Sequence, residues 1–153
     1  MHTTEGIILR KQDFGEADAV FTIYTKDFGK LRLLAQGVKK EGAKLKGHLE
    51  PLNHARITFV LGRNGERLTH ATLLNFGPEL RTDFAKLYAA HRVVGCIDNR
   101  TFPGERDRPL WDLLVNSLTR LDNGAFSASE LQLFFGSFEK ELEACLGYGR
   151  PES

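Results

Sequence analysis

The side chains best suited to chemistry in this chain are cations. Lys26, Lys30, Arg32, Lys39, Lys40, Lys44 and Lys46 fall within residues 26–46 against only Asp27 and Glu41, a local net of +5. Such a run suits a polyanion, because each phosphate neutralised by Lys or Arg releases condensed counterions and so adds sequence-independent affinity for nucleic acid. Gly37, Gly42 and Gly47 interrupt the run and would let the backbone approach a phosphate track. A solvated basic loop has the same composition, so the surroundings must decide. Residues 1–78 hold 12 Lys/Arg and 8 Asp/Glu, whereas residues 79–153 hold 9 and 12. The overall +1 therefore conceals a basic first half, which points that half toward an anionic partner. Arg63 and Arg67, in the loop joining the fourth and fifth expected strands, extend the candidate set in the same half.

Binding of single strands also calls for aromatic rings on which bases stack. Phe21, Tyr24 and Phe59 read as core residues. Phe14 and Phe28 fall in expected turns and are the stacking candidates. The acidic stretch Asp13-Phe14-Gly15-Glu16-Ala17-Asp18 would repel phosphate, so it shapes a turn or faces a partner.

Other chemistries find little support. His2, His48, His54, His70 and His91 lack HExxH spacing, and no GxSxG, P-loop or GxGxxG pattern occurs. His91 reads as a core histidine, Glu139 and Glu143 as solvated charge on an outward helix face. Cys96 and Cys145 sit inside apolar helical patterns and read as buried free thiols. No catalytic set, metal or cofactor is expected. No apolar run approaches the ~20 residues that span a bilayer. The start Met1-His2-Thr3-Thr4-Glu5 lacks the pattern of a signal peptide, so a cytoplasmic protein away from membranes is expected.

The elements that must position these cations change character midway. Runs rich in β-branched and aliphatic residues predict strands at 4–11, 19–25, 30–36, 53–61 and 67–75, with turns at 26–29 and at Asn64-Gly65. In the fourth strand Ile57, Phe59 and Leu61 alternate with Arg56, Thr58 and Val60, predicting a half-buried strand. Residues 37–51 leave room for a short helix between strands three and four. Five strands with that insertion predict a closed OB-fold barrel, in which no sheet edge is left open. The period then becomes helical. Leu80, Phe84, Leu87, Tyr88, His91 and Val94 predict one apolar face. After the loop Thr101-Phe102-Pro103-Gly104, Asp107 and Pro109 begin a second helix carrying Leu110, Trp111, Leu114, Val115, Leu118 and Leu121. Ser127-Ala128-Ser129-Glu130 is a capping box opening a third, with Leu131, Phe134, Phe135, Phe138, Leu142 and Leu146 on its apolar stripe and Gly147 at its end. The expected fold is α+β: an OB domain over 1–78 and a small helical bundle over 79–153, split near Gly77-Pro78.

Several segments, in order along almost the whole chain, resemble RecO-type recombinational repair proteins. They are Thr4-Glu5-Gly6-Ile7-Ile8-Leu9-Arg10 with Phe14-Gly15-Glu16-Ala17-Asp18, Thr25-Lys26-Asp27-Phe28-Gly29-Lys30-Leu31-Arg32, Ala35-Gln36-Gly37-Val38-Lys39-Lys40, Leu45-Lys46-Gly47-His48-Leu49-Glu50-Pro51, and Phe138-Glu139-Lys140-Glu141-Leu142 with Leu146-Gly147-Tyr148-Gly149. The resemblance implies an OB-fold joined to a helical domain. It implies a non-catalytic recombination mediator that binds single- and double-stranded DNA, anneals strands and loads a recombinase. Its implied partners are a RecR-like protein and single-strand-binding protein, and its implied DNA contacts are Arg10, Lys30, Arg32, Lys39, Lys40 and Lys46. Family members often carry a four-cysteine zinc motif and further helices beyond the Leu-Gly-Tyr turn. With two cysteines and no such motif, this chain is expected to be a short form without that zinc site. The competing expectation is a protein-interaction adaptor of the same pathway, suggested by the acidic first turn and the net-negative second half.

Overall fold

The computed structural model describes residues 1–40, 45, 47–63 and 65–147. Strands β1 (His2–Phe14), β2 (Asp18–Thr25), β3 (Gly29–Ala35), β4 (His54–Gly62) and β5 (Gly65–Asn75) are followed by helices α1 (Phe84–Arg100), α2 (Arg108–Asn123) and α3 (Ala128–Cys145). The strands form a closed barrel in the order β1-β2-β3-β5-β4, the expected OB-type arrangement followed by helices. The described residues fall into two compact units, one within 1–76 together with Arg100–Arg106, the other within 77–99 together with 107–147.

The barrel closes because β1 serves two neighbours. His2 to Ile7 pair with β4, and Gly6 to Phe14 pair with β2. Gly6 belongs to both ladders; a Cβ there would fall 2.5 Å from Ile23 Cγ2, so the corner needs glycine. A bulge between Ile8 and Arg10 then re-aims the strand. Alternate residues point inward, and Ile8, Phe21, Ile23, Leu33, Ala55, Ile57 and Phe59 make the core with Val38 and Leu49 from the β3–β4 connection. Each large apolar side chain buried there stabilises the barrel by about 1.5–3 kcal/mol. Two expectations shift. Leu61 is 69 % exposed, because it lies past the core next to the β4–β5 turn. The described residues of the β3–β4 connection form turns, and the remainder of the expected helix falls outside the described residues.

In the helical unit, Asp107 caps α2 by accepting from the Leu110 N–H at 3.0 Å. The Ser127/Glu130 capping box opens α3 in both directions, at 3.0 and 3.2 Å. The Ser127 N–H, and then its hydroxyl, hold the Glu130 carboxyl below its usual pKa. Buried Asp122 accepts from the Glu79 and Leu80 N–H groups, and its carbonyl accepts from Lys86 Nζ, which fixes the entry to α1.

The expected face of α1 is corrected. Ala89, Ala90, Val93, Val94 and Ile97 are buried there, while Phe84 and Tyr88 are 86 % and 62 % exposed and His91 is also exposed. The small residues carry the true helical stripe, and the large rings drew the reading one face round. Cys96 and Cys145 are half-buried rather than buried. Among the described residues no helix is long and apolar enough to cross a membrane.

Candidate nucleic-acid interface

Residues opposed across neighbouring strands share a face about 5 Å apart, and residues i and i+2 on one strand share it about 6.7 Å apart. The register therefore lays out the outer surface of β1, β2 and β3 as rows. The first is Ile7, Tyr24 and Lys30, and the second is Arg10, Thr22 and Arg32. The third is Gln12, Val20 and Leu34, extended by Arg67 because β5 runs parallel to β3 at that point. Arg10, Arg32 and Arg67 are exposed, while Val20 and Leu34 are half-buried between them. Three guanidiniums thus border a shallow apolar strip that three different strands assemble. Counting residues between strands could have found this set, but only with the β1 bulge known, since it moves Arg10 to the outer face.

The contiguous basic run divides differently. Along the β1-β2-β3 ladder, the loop between β2 and β3 lies at one end and the loops after β1 and β3 lie at the other. Lys26 is at the first end, 3.6 Å from Glu5 Oε2. Glu5 Oε1 stands 3.0 Å from His54 Nε2. Burial pushes the His54 pKa down, with Glu5 opposing and Lys26 assisting. Lys30 is corrected: it is 8 % exposed and its Nζ donates to the Thr101 carbonyl at 3.3 Å, so it closes the barrel instead of meeting solvent.

At the other end Lys39 and Lys40 are exposed, and Lys39 stands 3.4 Å from Asp13 Oδ2. The acidic first turn thus borrows one of the lysines. An exposed pair of this kind is worth at most about 1 kcal/mol, so Lys39 stays exchangeable. Lys44 and Lys46 lie outside the described residues. Arg63 is exposed in the β4–β5 turn, whose Asn64 is likewise outside the described residues. Arg67 donates to Gln36 Oε1 at 3.3 Å, on the rim of an open cleft of about 410 Å³ floored by Val38 and Leu68.

Phe28 lies half-buried in the turn between β2 and β3. Its ring packs 5.3 Å from both Phe59 and His2, edge-on to Phe59 at 87°, and plugs one mouth of the barrel. Phe14 is 60 % exposed at the end of β1. Phe102 is 72 % exposed on a segment that belongs to the barrel unit. Nothing in its local sequence marks it out from an ordinary loop residue. Among the described residues no three His, Cys, Asp or Glu side chains are grouped to hold a metal ion.

The family model described as recombination protein O N terminal matches residues 1–76. A protein named DNA repair protein RecO from Roseiflexus sp. (strain RS-1) is 32 % identical over 99 % of this chain and 52 % of its own length. Others of that name from Dehalococcoides mccartyi (strain ATCC BAA-2100 / JCM 16839 / KCTC 5957 / BAV1) and Pelotomaculum thermopropionicum are 32 % and 26 % identical, over 97 % of this chain and 57 % and 56 % of theirs. The chain spans about half the length of the curated relatives it matches. With its barrel order, the matched N-terminal model and relatives aligned along nearly its whole length, the chain belongs to the RecO family.

Proposed function

We propose that this protein works in recombinational DNA repair as a non-catalytic DNA-binding mediator. It takes single- and double-stranded DNA on the outer face of β1–β3 and promotes strand annealing or recombinase loading. The observation that carries this reading is the arginine set Arg10, Arg32 and Arg67, brought onto one face by register, with exposed Lys39 and Lys40 in the loop after β3 and exposed Arg63 in the turn before β5. Guanidiniums present planar forks that pair with phosphate oxygens and stack on bases, and the strip of Val20 and Leu34 between them suits the faces of bases. Neutralising two strands on one surface reduces their mutual repulsion, which is the electrostatic requirement for annealing. The names of the relatives support the pathway, and a RecR-like protein and single-strand-binding protein are the partners that fit it.

The test is a salt titration with fluorescent single-stranded and duplex oligonucleotides. Log affinity is expected to fall linearly with log salt for both. Absence of any shift at 50 mM salt, with capture of a RecR-like protein retained, would replace this reading with that of a protein adaptor.

A further inference from the structure

The turn that follows β3, residues 37–40, adjoins the arginine set, because the residue before it, Gln36, accepts from Arg67 at 3.3 Å. Three of its donors are engaged by the acidic turn between β1 and β2. The Gly37 N–H donates to Asp18 Oδ1 at 2.7 Å, and the Lys39 N–H donates to the Ala17 carbonyl at 2.9 Å. The Lys39 ammonium stands 3.4 Å from Asp13 Oδ2 and 3.5 Å from the Gly15 carbonyl. Gly37 has a φ of +67°, and the Lys40 N–H closes the turn on the Gly37 carbonyl at 3.1 Å. Backbone N–H groups beside an ammonium are the donor types with which loops hold phosphate. Here oxygens of the acidic turn take them.

The two carboxylates involved differ in kind. Asp18 is half-buried and bonded at short range to the backbone, so it fixes the position of the turn. The Asp13 side chain is 65 % exposed and meets only a flexible ammonium, so its contact can be exchanged. We propose that Asp13 is an internal competitor of DNA phosphate for Lys39, through which the acidic turn tempers the affinity of the basic face. The inference rests on the DNA-binding reading and deepens it, since it names a regulation of the same site. A strand that docks on the arginine set takes Lys39 only by displacing the Asp13 carboxylate. That exchange costs about as much as one exposed ion pair and leaves the arginine contacts untouched.

The experiment measures binding of fluorescein-labelled oligo-dT to the full chain and four variants at about 0.15 M salt, where charges beyond about 8 Å are largely screened. Asp13→Asn keeps the shape of the side chain and is expected to tighten binding about two- to fivefold, the size of one exposed ion pair. Its salt slope should steepen by up to about 0.7, one further phosphate contact on a single strand. Glu16→Gln removes the same charge from the same turn without touching the Lys39 contact, and should stay within about 1.5-fold of the parent. Lys39→Met should weaken binding, and Asp13→Asn added to it should change affinity by no more than about 1.5-fold, because the two act through one contact. Circular dichroism and thermal unfolding confirm that the variants fold. A gain in Glu16→Gln equal to that in Asp13→Asn, or a gain that persists beside Lys39→Met, overturns the competition in favour of a general loss of negative charge. Unchanged affinity in Asp13→Asn overturns it too, while leaving the arginine face intact. Failure of both the parent and Asp13→Asn to bind at about 50 mM salt overturns the DNA-binding reading and this inference with it.

Discussion

Lys30 and Arg32 stand two residues apart on β3, on the same face, and in sequence they belong to one basic run. Only Arg32 reaches solvent. The row of Lys30 contains Ile7 and Tyr24, all three under 10 % exposed, and Lys30 spends its ammonium on the Thr101 carbonyl. The row of Arg32 contains Thr22 and Arg10, and two long guanidinium side chains flank the small Thr22 at 2 % exposure. The difference is one of cover. The segment anchored to Lys30 occupies an edge that β5 leaves open, and β5 meets β3 at Leu34, one row beyond Arg32. A positive charge under cover becomes a structural hydrogen-bond donor, while the same charge one row away becomes a contact for an anion. Charge counted along the chain measures neither.

That contrast can be tested from both sides. The largest effect is expected from Gly29→Val, which forces a β-branched residue to a φ of +68° and drives its side chain into the Glu105 carbonyl. Stability should fall by about 2–4 kcal/mol in urea unfolding. Backbone amides of residues 101–104 should then exchange faster if the segment lifts off Lys30. Next comes the triple change Arg10→Ala, Arg32→Ala and Arg67→Ala. With ~0.7 of log slope per contact on single strands, losing three contacts weakens binding on the order of hundred-fold at 0.1 M salt. The salt slope should fall by about 2, with unfolding free energy moved by less than about 1 kcal/mol. An unchanged slope would take the three arginines out of the interface.

Lys30→Met sharpens the comparison from the covered side. Replacing a buried cation by an apolar chain of similar length is close to neutral. The Thr101 carbonyl loses a partner worth about 1 kcal/mol, so unfolding should shift by about that much or less, with DNA affinity within about twofold of the parent. A loss matching that of Arg32→Ala would mean that the cover opens when DNA binds. The smallest effect concerns the Glu5–His54 contact at the covered end. Burial lowers the His54 pKa, so the folded protein resists a proton that the unfolded chain accepts. The stability held by neutral His54 is full above 6.5 and declines as the pH falls from there through the lower folded value. His54→Gln should flatten that decline without altering DNA affinity at neutral pH.

Much of this molecule could be read from its residues one segment at a time. Strand alternation placed all five strands to within a few residues, the Ser127/Glu130 box placed the start of α3, and Asp107 with Pro109 placed that of α2. These are local signals, in which a residue and its neighbours three or four positions away state the period or the cap. The reading failed where size stood in for environment. Phe84, Tyr88 and His91 outweighed the alanines on the packed face of α1, whereas Phe28 does lie in the expected turn and also packs beside Phe59. Of the proposed contacts, Arg10, Arg32, Arg67 and Arg63 are exposed, Lys30 is enclosed, and Lys44 and Lys46 lie outside the described residues.

The order of residues by itself determined the kinds of element, their sequence, the closure into a barrel and the family, because alternation, capping and motif are properties of short stretches of chain. Tertiary structure decided which cations share a face and which are enclosed. Cross-strand register depends on a bulge near residue 9 and on a segment that arrives seventy-one positions after Lys30. Pairings at such separations leave no periodic trace near either partner, so they exist only once the chain has closed on itself.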